Sequence, residues 1–160
     1  MTLKTAFDAP ADDRWLEDYV EGAVYLFGPI GVDDQELQDF AMRYDPQPFH
    51  IDPDAAKSGP YGRIIASGWM TAALIMRLFV DHVASRSGGM AGPGVDELRW
   101  IKPVFGCDFL HLRLSILSSR ASASKPWMGL VTMLMEGINQ HGDCVYSCKA
   151  LTRVRRRPEA

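Results

Sequence analysis

The sequence predicts an α+β domain in which one antiparallel sheet wraps round one long apolar helix. From Trp69 to about Ser85 the spacing is helical and apolar residues stand on nearly every face, the mark of a buried helix. The second half of the chain changes to a period of two, with Leu110, Leu112, Leu114 and Ile116 alternating with His111, Arg113 and Ser115. The chain has 160 residues, 47% of them apolar, which is enough for one domain with a sizeable core.

Each element follows from local chemistry. Residues 1–14 carry mixed charge, alanine and one proline and read as a loose lead-in, with Trp15 and Tyr19 able to pin a short turn to the body. Val24–Ile30 is an apolar run interrupted by Gly28 and Pro29, so it reads as a strand with a bulge or a kinked edge. Asp33 is placed to cap a helix, with Glu36 three residues on. Leu37, Phe40, Ala41 and Tyr44 follow at helical spacing, and Pro46 and Pro48 require the helix to stop near Tyr44. A helical turn is expected at Pro53–Lys57, and a loop over Ser87–Gly94 after the long helix. Strands are expected at Val95–Ile101, Phe109–Leu117, Met128–Gly137 and Val145–Val154, with a hairpin turn at 139–143. The expected division is a lead-in at 1–14, one domain at 15–154 and a basic tail at 155–160. A sheet of this kind leaves a face or an edge to cover, so self-association is expected.

Charge and cysteine content exclude several classes. Lys and Arg number 17 against 20 Asp and Glu, a net charge of -3, so neither nucleic acid nor a membrane surface is the expected partner. No apolar stretch is long enough to span a bilayer, and no signal-peptide pattern opens the sequence. Three cysteines without a CxxC motif fit a reducing, cytoplasmic compartment. His50, His82, His111 and His141 form no HxH or HxxxH pair, so no metal and no cofactor is expected.

The informative stretch is Tyr44–Met70. It holds Asp45 and His50 five residues apart, and Pro46 and Pro48 keep the intervening chain extended or turned. A carboxylate and an imidazole fixed in this way can grip one water molecule, and imidazole exchanges a proton near neutral pH. The same residues also read structurally. A histidine between Phe49 and Ile51 can be half-buried and bonded to backbone, Asp45 can cap a turn, and Asp52 can cap the turn that starts at Pro53. Ser67 and Gly68 stand just before the long helix, whose first N–H groups are unpaired and partly positive. Gly68 has no side chain to keep a substrate carbonyl from those donors, while Ser67 and Gly68 read equally well as a cap and a packing glycine.

These residues resemble the hydratase signature of the MaoC-like dehydratase family, which has the hot dog fold. The family pattern D-x-N-P-x-H-x-D is similar to D-P-Q-P-F-H-I-D at Asp45–Asp52, and I-x-H-G at the head of the central helix is similar to I-A-S-G at Ile65–Gly68. Leu98–Phe105 resembles the family's Lys-Pro-Val strand, Gly106–Asp108 its Gly-Asp turn, and Asn139–Val145 the turn before its last strand. The resemblance implies reversible hydration of a trans-2-enoyl thioester to a 3-hydroxyacyl thioester, on CoA or an acyl carrier protein, by a homodimer or higher homo-oligomer. It implies Asp45 and His50 as the catalytic pair and the Gly68 N–H as oxyanion donor. Two positions depart from the family. Ser67 stands where histidine is common, and Gln47 takes the place of the loop asparagine, supporting the loop together with Asp52.

Two other functions share this pattern. A thioesterase of the same fold commonly carries an acidic residue on the central helix, and Trp69–Val80 contains none. A non-catalytic acyl-thioester-binding subunit would keep the fold and lose one active residue, whereas both Asp45 and His50 are present. Trp69, Met70, Met76 and Phe79 read as core or tunnel wall, and Trp100 and Trp127 as core, with the lining of an acyl pocket as the alternative for either. Arg153, Arg155, Arg156 and Arg157 read as a solvated basic end, or as a grip on CoA phosphates within a dimer.

Overall fold

A computed structural model describes residues 3–159. The elements are β1 (Leu3–Lys4), β2 (Val24–Gly31), α1 (Asp34–Tyr44), α2 (Pro48–Ile51), α3 (Pro53–Ser58), α4 (Gly68–His82), β3 (Gly89–Trp100), β4 (Phe109–Ala121), β5 (Met128–Asn139) and β6 (Cys144–Arg155). The strands form one six-stranded sheet in the order β1-β2-β4-β5-β6-β3. Only the short β1 pairs in parallel, with β2, and the other pairings are antiparallel. Alternation explains the burial: Leu110, Leu112, Leu114 and Ile116 are buried on the inner face of β4, where α4 lies with Met70, Leu74, Ile75, Leu78 and Phe79 in the same core. This is the hot dog arrangement.

Most elements follow the sequence. Asp33 caps α1, its carboxylate accepting from the amides of Gln35 and Glu36, and the helix stops at Tyr44 ahead of Pro46. The expected kink in β2 is a register shift between Phe27 and Ile30. There Gly28 has φ +111, which a side chain would strain.

Several expectations are corrected. The long helix ends at His82 rather than near Ser85, with Val83 as its C-cap. Met76 and Trp69 on it are exposed, so its apolar surface is not all buried within one chain. The loop expected over Ser87–Gly94 is largely strand: Gly89 pairs with Val154 and Met90 with Arg153 before a bulge leads to Gly94. Pro93 and three glycines hide this strand from the sequence, because its pairing with β6 is set by distant residues.

The described part of the lead-in is not loose. Phe7 joins the core, and Arg14 is 5% exposed, donating to the carbonyls of His82 at 2.8 Å and Val83 at 2.9 Å. Helix C-terminal carbonyls lack intrahelical partners, and a guanidinium satisfies two of them at once. The basic end is likewise tied down. Arg155 closes β6, Arg156 pairs with Glu17 at 3.1 Å, and Arg157 pairs with Asp13 at 2.9 Å and Asp18 at 3.0 Å. No helix among the described residues is long and apolar enough to cross a membrane.

Candidate active site

Asp45 is the C-cap of α1, its amide bonded to the Ala41 carbonyl at 2.9 Å. The chain then turns, and Pro48 opens α2, where the missing proline N–H costs nothing. His50 therefore rides on a short helical turn rather than on extended chain, and its side chain is 5% exposed. Its Nδ1 lies 2.7 Å from the Ile65 carbonyl. A carbonyl only accepts, so Nδ1 carries a proton and Nε2 is the edge left for chemistry. Nε2 stands 3.3 Å from Asp45 Oδ2.

Both carboxylate oxygens of Asp45 are held. Gln47 Nε2 donates to Oδ1 at 2.7 Å, and Ser67 Oγ donates to Oδ2 at 2.7 Å. Burial pushes this carboxyl up, but the hydrogen bonds from Ser67 and Gln47, joined by His50 whenever its ring carries a charge, outweigh it and hold Asp45 below its ordinary value. Ser67 is fully buried and also caps α4, accepting from the Trp69 amide at 3.3 Å. One hydroxyl thus ties the carboxylate to the head of the helix. Gly68 is the first residue of α4, so its N–H has no intrahelical partner.

Asp45, His50 and Gly68 line one cavity of about 400 Å³, which Trp100, Lys102 and Val145 also line. Gln47 lines it as well. Asp52 does not. It caps α3, accepting from the Asp54 amide at 2.9 Å and the Ala55 amide at 3.1 Å, which is the structural reading of that residue. The expectation that Trp100 and Trp127 pack in the core is corrected: they are 48% and 51% exposed. Trp100 closes β3 beside the cavity, and Trp127 precedes β5 at the other end of the sheet. The Ile65 carbonyl and Lys102 escaped the sequence reading. The first is a backbone group without a motif of its own, and the second stands in the Lys-Pro-Val step that marked only the strand. Among the described residues no group of three or more His, Cys, Asp or Glu side chains is placed to hold a metal ion.

Fold and site together define a hot dog protein with a carboxylate–imidazole pair at the head of its central helix. Residues 19–132 match the family described as MaoC like domain, and the chain belongs to that family. It is 36% identical to a MaoC-like dehydratase from Rhodospirillum rubrum, with a TM-score of 0.84 over 91% of this chain and 99% of that one. It is 53% identical over 77 residues to 3-hydroxyacyl-thioester dehydratase Z of Mycobacterium tuberculosis, a match spanning 47% of this chain and 51% of that protein. An R-hydratase from Pseudomonas aeruginosa, at 22% identity, shares the fold with a TM-score of 0.71 over 89% of this chain and 86% of that one. Membership of the family supports an acyl-thioester substrate.

Proposed function

We propose that this chain reversibly hydrates a trans-2-enoyl thioester to a 3-hydroxyacyl thioester, with Asp45 and His50 as the catalytic pair. The observation that carries the reading is the 3.3 Å approach of His50 Nε2 to Asp45 Oδ2 on a cavity that also receives the head of α4. With Nδ1 committed to the Ile65 carbonyl, neutral His50 offers Nε2 as an acceptor beside the Asp45 carboxylate. Two adjacent acceptors hold a water by its two hydrogens, which leaves an oxygen lone pair for C3 of the substrate. The Gly68 N–H and the positive end of α4 stabilise charge on the thioester oxygen as that attack proceeds. Asp45 is held below its ordinary value and both its oxygens already accept hydrogen bonds, so it is poorly suited to take a proton. His50 therefore takes the water proton and returns one to C2, while Asp45 orients the water and stabilises the imidazolium.

The substrate arrives on CoA or on an acyl carrier protein, and the working form is a homodimer. The free edge of β3 and the outward stripe of Trp69, Ala73, Met76 and Val80 on α4 support a second copy covering this side of the molecule. Three free cysteines are in keeping with a reducing cytoplasm. The test is a spectrophotometric assay with crotonyl-thioester. Loss of enoyl absorbance without thiol release supports hydration, thiol release at the same rate points to a thioesterase, and neither signal across a graded series of acyl lengths removes the catalytic reading. Sedimentation velocity reads the dimer.

A further inference from the structure

The proposed hydration gives the thioester oxygen one donor, the Gly68 N–H, and the role assigned to any second donor rests on that function. Oxyanion stabilisation is strongest where preorganised donors converge on one oxygen. A second N–H stands beside the first. Trp100 packs edge to face against Trp69, with ring centroids 5.1 Å apart and planes at 77°. Its indole lies over the head of α4 so closely that a Cβ on Gly68 would sit 2.5 Å from both its Nε1 and its Cε2. By standard backbone dimensions this keeps Nε1 within about 5 Å of the Gly68 amide nitrogen. One oxygen about 2.9 Å from each of two N–H groups permits a separation of up to about 5.8 Å. The two donors are therefore near enough to share an acceptor.

Trp100 also lines the cavity that holds Asp45 and His50. Among the described residues its indole N–H has no hydrogen-bond acceptor, whereas the indole of Trp15 donates to Asp13 at 2.7 Å. A donor without a protein partner, on a residue that lines the cavity beside a helix N-terminus, is suited to a substrate oxygen.

We propose that the Trp100 indole N–H is the second donor to the thioester oxygen, and that Gly68 lacks a side chain because the indole must lie against it. In the hydration step the water gives one proton to His50 Nε2 as its oxygen bonds to C3, the C2–C3 π pair shifts toward C1, and the carbonyl π pair moves onto oxygen. That enolate oxygen is held by the Gly68 and Trp100 N–H groups. The carbonyl then re-forms as C2 takes a proton from the His50 imidazolium, so that one water has been added and the pair restored.

Steady-state hydration of crotonyl-CoA by the full chain tests this, with thermal melting run beside it. Trp100→Phe keeps a ring over Gly68 and removes the N–H. It is expected to lower kcat about 10²-fold, the scale of one lost oxyanion donor, with KM changed only a few-fold. Replacement of Trp100 by benzothienylalanine keeps ring size and puts sulfur in place of the N–H, so it covers the case in which the phenylalanine variant misfolds. The same fall in kcat is expected there. An active wild type whose folded variants keep kcat within about threefold overturns this proposal alone. A wild type that hydrates no enoyl-thioester removes it together with the function on which it rests.

Discussion

The two ends of α4 are built with the same device and put to different uses. At the C-terminus, Arg14 reaches from far earlier in the chain to the carbonyls of His82 and Val83, and the Tyr19 hydroxyl donates to Val83 at 2.8 Å. Arg14 Nη2 and Nε also donate to the Ala9 carbonyl, at 2.9 and 3.3 Å. Every one of these groups has a partner, and the network is closed. At the N-terminus, Ser67 ties Asp45 to the helix and Ile65 fixes His50, yet Gly68 and His50 line a cavity. The closed network holds the helix in place, while the open one holds the proposed reactive groups in place. Chemistry requires that the satisfied bonds surround a few left unmade.

Substitutions can break this contrast. The largest effect is expected at the open end: His50→Ala and Asp45→Ala should each lower kcat by about 10²- to 10⁴-fold, with folded protein verified by circular dichroism. Two folded variants with undiminished crotonyl-thioester hydration would show that the pair is structural. At the closed end, Arg14→Met keeps the packed stem and leaves two helix carbonyls without their charged donor. It is expected to cost about 2 kcal/mol in urea denaturation while kcat stays unchanged. A fall in kcat without a loss of stability would contradict the division of labour.

Ser67→Ala stands between the two ends. It removes a helix cap, worth about 1 kcal/mol, and a donor that keeps Asp45 ionised. The folded carboxyl lies below its unfolded value, so its contribution to stability is present above about pH 4 and is lost as pH falls through the lowered folded value. Without Ser67 that folded value rises toward the ordinary one. The part of the stability difference between wild type and variant that comes from Asp45 is therefore full above about pH 4 and shrinks on acidification. Urea titrations at a series of pH values check this, and a difference that grows on acidification would contradict it. The smallest effect is expected from Tyr19→Phe, about 1 kcal/mol of stability with no change in rate.

The open end was largely legible in the sequence because its parts lie close together. Asp45, Gln47, His50, Ser67 and Gly68 fall within one segment, punctuated by prolines and a helix start that have local physical meaning. Asp52 belonged to the same segment and proved to be a cap, because an aspartate before Pro-Asp satisfies nearby amides whatever the site requires. The closed end was not legible. Nothing local ties Arg14 to carbonyls 68 and 69 residues further on, so its segment read as loose. Trp100 over Gly68 was hidden for the same reason: β3 reaches α4 only through the closure of the sheet. The strand periods marked β4, β5 and β6 well, while the glycines and proline at the start of β3 masked a pairing imposed by β6.

The strand order has a temporal consequence. β4, β5 and β6 are neighbours both in the chain and in the sheet, so their meander closes only short loops. β2 and β3 lie on opposite sides of that meander, and β3 meets β6 across the whole of β4 and β5. Loop-closure cost favours the local pairings, so the meander is expected to gain hydrogen-exchange protection before β3 in pulse-labelled refolding. The cavity needs the residue that caps the end of α1 together with residues from α2, the head of α4, the end of β3 and the start of β6. On this order of assembly a chain acquires most of its core before any catalytic competence, and slow late steps would be read as delayed activity rather than delayed collapse.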